Sequence, residues 1–199
     1  NKVSSTSGQT NNGNNIVPTI NKILTNKTSN NYTNQHQIIP SSSTSTNNIG
    51  MNIKALKLLY PDQHHSAIEI NSDAVNELHK ILPKDNIFEG SILDFNPKKV
   101  FDLVLIKGVL IHINPDELNN VYDKLVTSCS KYLLVAEYYN PSPVTIPYRG
   151  HINRLFKRDF AGEIMDRHPG MKIIDYGFSY RRDPKFPQDD ITWFLMEKS

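Results

Sequence analysis

The residues able to do chemistry in this sequence stand where its apolar runs stop. Glu69 follows the β-branched run that begins at Ser66, and Glu137 closes Tyr132–Glu137 (YLLVAE). A carboxylate at a strand end can accept both hydroxyls of a ribose, or take a proton; its plain alternative is a solvated acid. Gly90-Ser91-Ile92 follows a third run, where a close backbone, a small hydroxyl and an apolar side chain could hold a flat heterocycle, or simply make a turn. Lys107-Gly108-Val109-Leu110-Ile111-His112 follows the longest run, Phe101–Ile106 (FDLVLI). His112 has the intrinsic pKa of a general base near neutrality, yet Ile111 and Ile113 flank it, as they would a packed structural histidine.

Beyond Glu137, the stretch Tyr139–Arg158 (YNPSPVTIPYRGHINRLFKR) is dense in Tyr, Arg, His, Asn and Pro. Read as a long connecting loop, it is expected to bind something. Tyr139, Asn140 and Tyr148 would face an acceptor; the aromatics Tyr138 and Tyr139 could instead simply pack the lid. Arg149, His151, Arg154 and Arg158 could receive a phosphate or carboxylate; alternatively, Arg149 and Arg158 pair with local acids such as Asp159 and Glu163. Asp189, in Pro187-Gln188-Asp189-Asp190, is a second acceptor contact or a turn residue. His64, His65, His79 and His168 show no ligand spacing, and Cys129 is the lone cysteine, so neither a metal nor a disulfide is expected.

Strands and helices alternate around these positions. Helical spacing runs from Met51 to Leu59, and Asn71-Ser72-Asp73 caps a helix over Ala74–Leu82. Asn114-Pro115-Asp116-Glu117 opens another helix through about Thr127, and Arg158–Arg167 reads as a further one. Strands are expected at Ser66–Ile70, Asn86–Glu89, Phe101–Ile106, Tyr132–Glu137, Lys172–Tyr180 and Thr192–Glu197. Such alternation predicts an α/β fold: a doubly wound, mostly parallel sheet whose last two strands form an antiparallel hairpin. In such sheets, ligands bind beyond the carboxyl ends of the strands.

Composition divides the chain. Residues 1–50 hold 12 Asn, 8 Ser and 8 Thr with no Asp or Glu, so residues 1–47 read as a low-complexity, largely disordered segment and 48–199 as the folded domain. Within the first segment, 16–24 is an apolar island and 37–39 a stub of strand. The 22 basic and 20 acidic residues nearly cancel, which gives no electrostatic case for nucleic acid. No apolar run approaches the roughly 20 residues of a membrane span and no signal core opens the chain, so a cytoplasmic location is expected.

NIGMNIKALKLLYP (Asn48–Pro61), AIEIN (Ala67–Asn71), EGSILDF (Glu89–Phe95), FDLVLIKGVLIHINPDEL (Phe101–Leu118), AEYYNPSPVTIPYRGH (Ala136–His151), LFKRDFAGE (Leu155–Glu163) and FPQDDITWFLMEK (Phe186–Lys198) closely resemble the methylases associated with pseudaminic acid biosynthesis. The resemblance covers about residues 48–199. It implies a Rossmann-like class I methyltransferase fold, S-adenosylmethionine as cofactor, and a sugar-derived acceptor in bacterial surface-glycan synthesis. It also implies roles: Glu69 at the ribose, Ser91 and Ile92 at the adenine, Asn48 and Gly50 near the methionine part, and Lys107, Gly108 and Val109 as the floor. His112 would be the base, with Glu137 its competitor.

The sequence departs from that family where its first strand runs into a Glu-x-Gly-Ala-Asn-x-Gly loop. Only Asn48-Ile49-Gly50 remains, with Thr44, Thr46 and Asn47 at the Glu, first Gly and Ala positions. The first strand is therefore expected to be weak or missing. A non-catalytic module that keeps the fold is the alternative reading. Resemblance that starts in mid-motif predicts that residues 1 to about 47 are not the ancestral N-terminus, and resequencing the coding region tests this: an intact, unshifted reading frame would contradict it.

Overall fold

The computed structural model describes residues 50–185, 187 and 189–199; the expected low-complexity segment, with its island at 16–24 and strand stub at 37–39, lies outside them. In chain order the elements are α1 (Met51–Leu59), β1 (Ala67–Glu69), α2 (Ser72–Leu78), β2 (Ile87–Glu89), β3 (Phe101–Lys107), α3 (Leu118–Ser128), β4 (Cys129–Glu137), β5 (Val144–Tyr148), β6 (His151–Lys157), α4 (Phe160–Arg167), β7 (Met171–Ser179) and β8 (Ile191–Lys198). Short 3₁₀ turns occupy Lys84–Asn86, Leu110–His112 and Pro115–Glu117.

Side-chain caps explain where two of the helices start. The Asn71 side chain accepts from the amides of Asp73 and Ala74 at 2.9 and 3.2 Å and starts α2. Asp159 caps α4 through the Gly162 amide at 2.9 Å. In α3, Leu118, Val121, Tyr122, Leu125 and Val126 are buried at the three- and four-residue spacing of one helical face.

The α/β content that the alternating pattern predicts is present, but among the described residues the strand order is not clearly that of one mostly parallel, doubly wound sheet. The described strands form a four-stranded sheet ordered β3-β4-β8-β7, a separate parallel pair β1-β2, and an antiparallel hairpin β5-β6. Only β3-β4 is parallel in the larger sheet; β8 lies antiparallel to both β4 and β7. The last two strands do pair antiparallel, with β7 at the edge. Tyr139–Arg158 is likewise no plain loop, because most of it is β5-β6. Its two-residue turn is Arg149-Gly150, both at positive φ (51° and 81°), the geometry that lets a hairpin keep the natural strand twist.

Successive residues of β4 face opposite sides and build two cores. Leu133 and Val135 pack with Ile106, Val121, Leu125 and Ile164. Leu134 and Ala136 meet Leu105, Trp193 and Leu195, together with Leu56 from α1. On the same helix, Ile53 packs against Ala67, Leu78 and Leu82. Helix α1 therefore bridges the small sheet and the large one, and each fully buried aliphatic side chain there contributes ~1.5–3 kcal/mol.

Gly50 sets where α1 starts. Its φ of 70° is left-handed, and a Cβ there would lie 3.1 Å from Leu78 Cδ2. Gly50→Ala is expected to destabilise the fold by about 1–2 kcal/mol, from the backbone penalty plus crowding; a urea unfolding midpoint equal to that of the parent would contradict this assignment.

Candidate functional site

Four strand ends carry the candidate cofactor-binding and catalytic residues. At the end of β1, Glu69 is buried; its Oε1 accepts the Asn71 amide at 2.8 Å, and its Oε2 is buried with no partner among the described residues. Burial raises its carboxyl above the usual range, against the opposing pull of the Asn71 and Ile70 amides. The Glu69 carbonyl accepts the Gly90 amide at 2.8 Å, tying the ends of β1 and β2 together. Beyond that bond, Ser91 Oγ accepts the Leu93 amide at 3.1 Å and Ile92 is buried.

At the end of β3, Lys107 is buried, a costly position for an ammonium. Desolvation lowers its pKa to about 8, partly offset by the negative charge of Asp189. Gly108 has φ 66° and donates its amide to the Ala136 carbonyl at 3.0 Å. The chain then turns through Val109, whose amide, like that of Leu110, donates to Glu137 Oε1, at 2.9 and 3.0 Å. Glu137 is 3% exposed and its Oε2 has no partner among the described residues. Burial pushes its carboxyl up to about 7 despite those amides.

His112 lies at the end of that turn. Its Nδ1 is 2.8 Å from the Arg154 carbonyl of β6. A carbonyl can only accept, so Nδ1 is the donor, and Nε2 is the ring nitrogen that this bond leaves open. The ring packs 5.7 Å from that of Tyr148, on β5.

The candidate acceptor residues are spread along the segment after β4. Tyr139 is partly exposed against Phe194, ring centres 5.8 Å apart. Asn140 donates to the Ser142 carbonyl at 2.6 Å. The Arg149 guanidinium lies 5.2 Å from the Tyr148 ring, and His151 is exposed just past the turn. Of the charges proposed to receive an anion, Arg158 instead pairs with Glu163 at 2.7 Å, the local pairing read as its alternative; Glu163 also accepts from Tyr122 at 2.7 Å. Asn48, expected beside a cofactor's methionine part, lies outside the described residues, whereas Gly50 is described at the start of α1.

Two groups escaped sequence reasoning. Asn52, in the first turn of α1, is buried with Nδ2 unpartnered among the described residues. Its signal was a polar residue four before Leu56, on the apolar face. The other is the Arg154 carbonyl, a backbone group to which residue type is blind.

No protein-family profile matches the chain, and no curated protein matches its sequence. Solved structures do. The fold is similar to that of the mitomycin 7-O-methyltransferase MmcR, with a TM-score of 0.54 at 14% identity over 75% of this chain. It is similar to the Burkholderia thailandensis 1,6-didemethyltoxoflavin-N1-methyltransferase, solved with bound 1,6-didemethyltoxoflavin and S-adenosylhomocysteine (TM-score 0.54, 12% identity, 72% of this chain). It is also similar to the glycopeptide N-methyltransferase MtfA in complex with S-adenosylmethionine (TM-score 0.55, 12% identity, 76% of this chain). The matches span 46%, 65% and 78% of those three chains. At identities this low the likeness speaks for the fold alone, which is similar to that of Rossmann-like class I methyltransferases.

The Glu137 geometry fixes a pH dependence. An acid whose folded pKa lies above its unfolded value contributes stability in full below about 4.5, and loses it as the pH rises through about 7. Glu137→Gln keeps an oxygen for the two amides without the charge. The variant is expected to match the parent at pH 4.5 and to exceed its stability at pH 8 by on the order of 3 kcal/mol. Parallel pH profiles for the two proteins would contradict a desolvated carboxylate.

Proposed function

We propose that the chain is an S-adenosylmethionine-dependent methyltransferase. The observation that carries this reading is the unpartnered Oε2 of Glu69, buried at the carboxyl end of a strand in a class I methyltransferase fold. A buried acceptor with no donor is costly, and the paired hydroxyls of an adenosine ribose are donors that such a carboxylate fits. The residues present therefore suit the cofactor. Glu69 would hold its ribose, Ser91 and Ile92 its adenine, and Lys107, Gly108 and Val109 would form the floor, with Gly50 and Asn48 toward the methionine part. When bound, the cofactor supplies an already activated methyl group.

What remains for the chain is alignment of the acceptor and removal of its proton. His112 is the base: its Nδ1 is fixed by the Arg154 carbonyl, which leaves Nε2 to receive a proton. Glu137 is placed to position the turn that bears His112, with Oε1 on two backbone amides. The acceptor is read as sugar-derived, of the kind found in bacterial surface glycans; the support is the resemblance in YNPSPVTIPYRGH and FPQDD. Tyr139, Asn140, Tyr148, Arg149, His151 and Asp189 are its proposed contacts.

A second reading, a fold-retaining module without catalysis, is favoured by the degraded first loop, with Thr44, Thr46 and Asn47 where the resembled family has Glu, Gly and Ala. Isothermal titration with S-adenosylhomocysteine separates the two. The enzyme reading expects micromolar binding that Glu69→Ala weakens at least tenfold, and His112→Ala should lower turnover severalfold while affinity stays within twofold. Folded chain that binds no S-adenosylhomocysteine would overturn the enzyme reading in favour of the module.

A further inference from the structure

The β5-β6 hairpin is largely exposed, with Leu155 buried near its root. A two-stranded ribbon is at best marginally stable alone in water, so its pose comes from its attachments. At the site end it is attached through the Arg154 carbonyl, 2.8 Å from His112 Nδ1. The other attachment lies at Arg158, directly after β6 and four residues from Arg154, about 13 Å along an extended strand. Arg158 is held twice there. Its backbone bridges Tyr139, past the end of β4, and its carbonyl accepts the Asn140 amide at 3.4 Å. Its side chain donates from Nε to Glu163 Oε1 at 2.7 Å.

An ion pair near the surface ordinarily contributes little, because two long side chains must be immobilised to make it. Glu163 is a different case. Its Oε2 accepts the Tyr122 hydroxyl at 2.7 Å, and Tyr122 sits on α3 within the larger core, 1% exposed. Turning the carboxylate away would leave a buried hydroxyl without its acceptor. The tyrosine therefore fixes the carboxylate, which presents Oε1 to Arg158 with its rotamer already set. From this relay we infer that Glu163 is a positioning residue for His112: through Arg158 it seats the root of β6, and with it the Arg154 carbonyl that holds the imidazole. The functional weight of the relay rests on the reading of His112 as the base; the hold on the ring does not. Helices α3 and α4 are tied again farther along, where Asp123 accepts Nε and Nη2 of Arg167, both at 2.6 Å. That pair lies off the path through Arg158 and supplies a control.

The test labels the histidines of the full chain with nitrogen-15 and reads the His112 ring by long-range proton–nitrogen correlation at about pH 9. In the parent, the ring proton is expected on Nδ1. In Glu163→Gln and in Arg158→Met, the share protonated on Nδ1 should fall to about half, because a released ring exchanges between its tautomers. Hydrogen exchange of the β5-β6 amides should quicken at least tenfold in both, while that of β8 stays within twofold and reports an intact fold. The double variant should match either single one, and Asp123→Asn the parent. The Arg158 side chain is 22% exposed, so Arg158→Met serves even where Glu163→Gln, which also orphans Tyr122, does not fold. A His112 ring that keeps the parent tautomer in the folded variants overturns the inference, and so does one that changes equally in Asp123→Asn. A ring altered as expected, in a chain that binds no S-adenosylhomocysteine, supports the relay and counts against the enzyme reading alone.

Discussion

One buried carboxylate and two backbone amides hold the site end of this molecule. Glu137 closes β4, and its Oε1 takes the N–H groups of Val109 and Leu110, the first residues past the Lys107-Gly108 bend. Those amides begin a tight turn and would otherwise be buried donors without acceptors, at a cost of about 1–3 kcal/mol each. The turn so fixed ends at His112, which reaches the Arg154 carbonyl and thereby docks the β5-β6 hairpin. Strand end, turn, imidazole and hairpin are one hydrogen-bonded sequence. The desolvation that strengthens it also brings the Glu137 carboxyl to about 7, so its charge is poised near neutrality.

The second constraint is the division of the sheet. The core on both faces of β3-β4 is continuous, and the antiparallel β8 and β7 extend it, so the larger sheet has a complete interior of its own. The small β1-β2 pair depends on α1 and α2 for burial. Glu69 stands at the end of β1 and Lys107 at the end of β3, and among the described residues the two sheets are joined by α1 and by the packing of Ile68 and Ile92 against the larger core. Any ligand touching both ends would add directly to the connection between the sheets.

Much of this was legible in the sequence, for identifiable reasons. The apolar run at Phe101–Ile106 and the one closing at Glu137 are strands because parallel strands covered on both faces need such runs. Asn71 could be recognised as a cap because capping is local. The β5-β6 hairpin was hidden: its residues are largely exposed, it contains Pro147, and only Arg149-Gly150 hinted at a turn. The separation of β1-β2 from the larger sheet among the described residues was foreshadowed only through the resemblance, by the degraded loop at Thr44, Thr46 and Asn47; strand order itself is chosen by contacts distant in sequence. For the site, Glu69 and Glu137 stood out as charges ending apolar runs. The bond from Glu137 back to residues 109 and 110, and the burial of Asn52, depend on packing that residue type does not encode.

The central claim is that the carboxyl ends of β1, β2 and β3 together form a pocket for an adenosyl cofactor. The most direct measurement is an amide chemical-shift map of the isotopically labelled chain titrated with S-adenosylhomocysteine. Saturable shifts concentrated at Asn71, Gly90, Ser91, Gly108 and Val109 are the expected result. Shifts that avoid those amides, or that gather instead around His64 and Lys98 at the opposite ends of the strands, would contradict it.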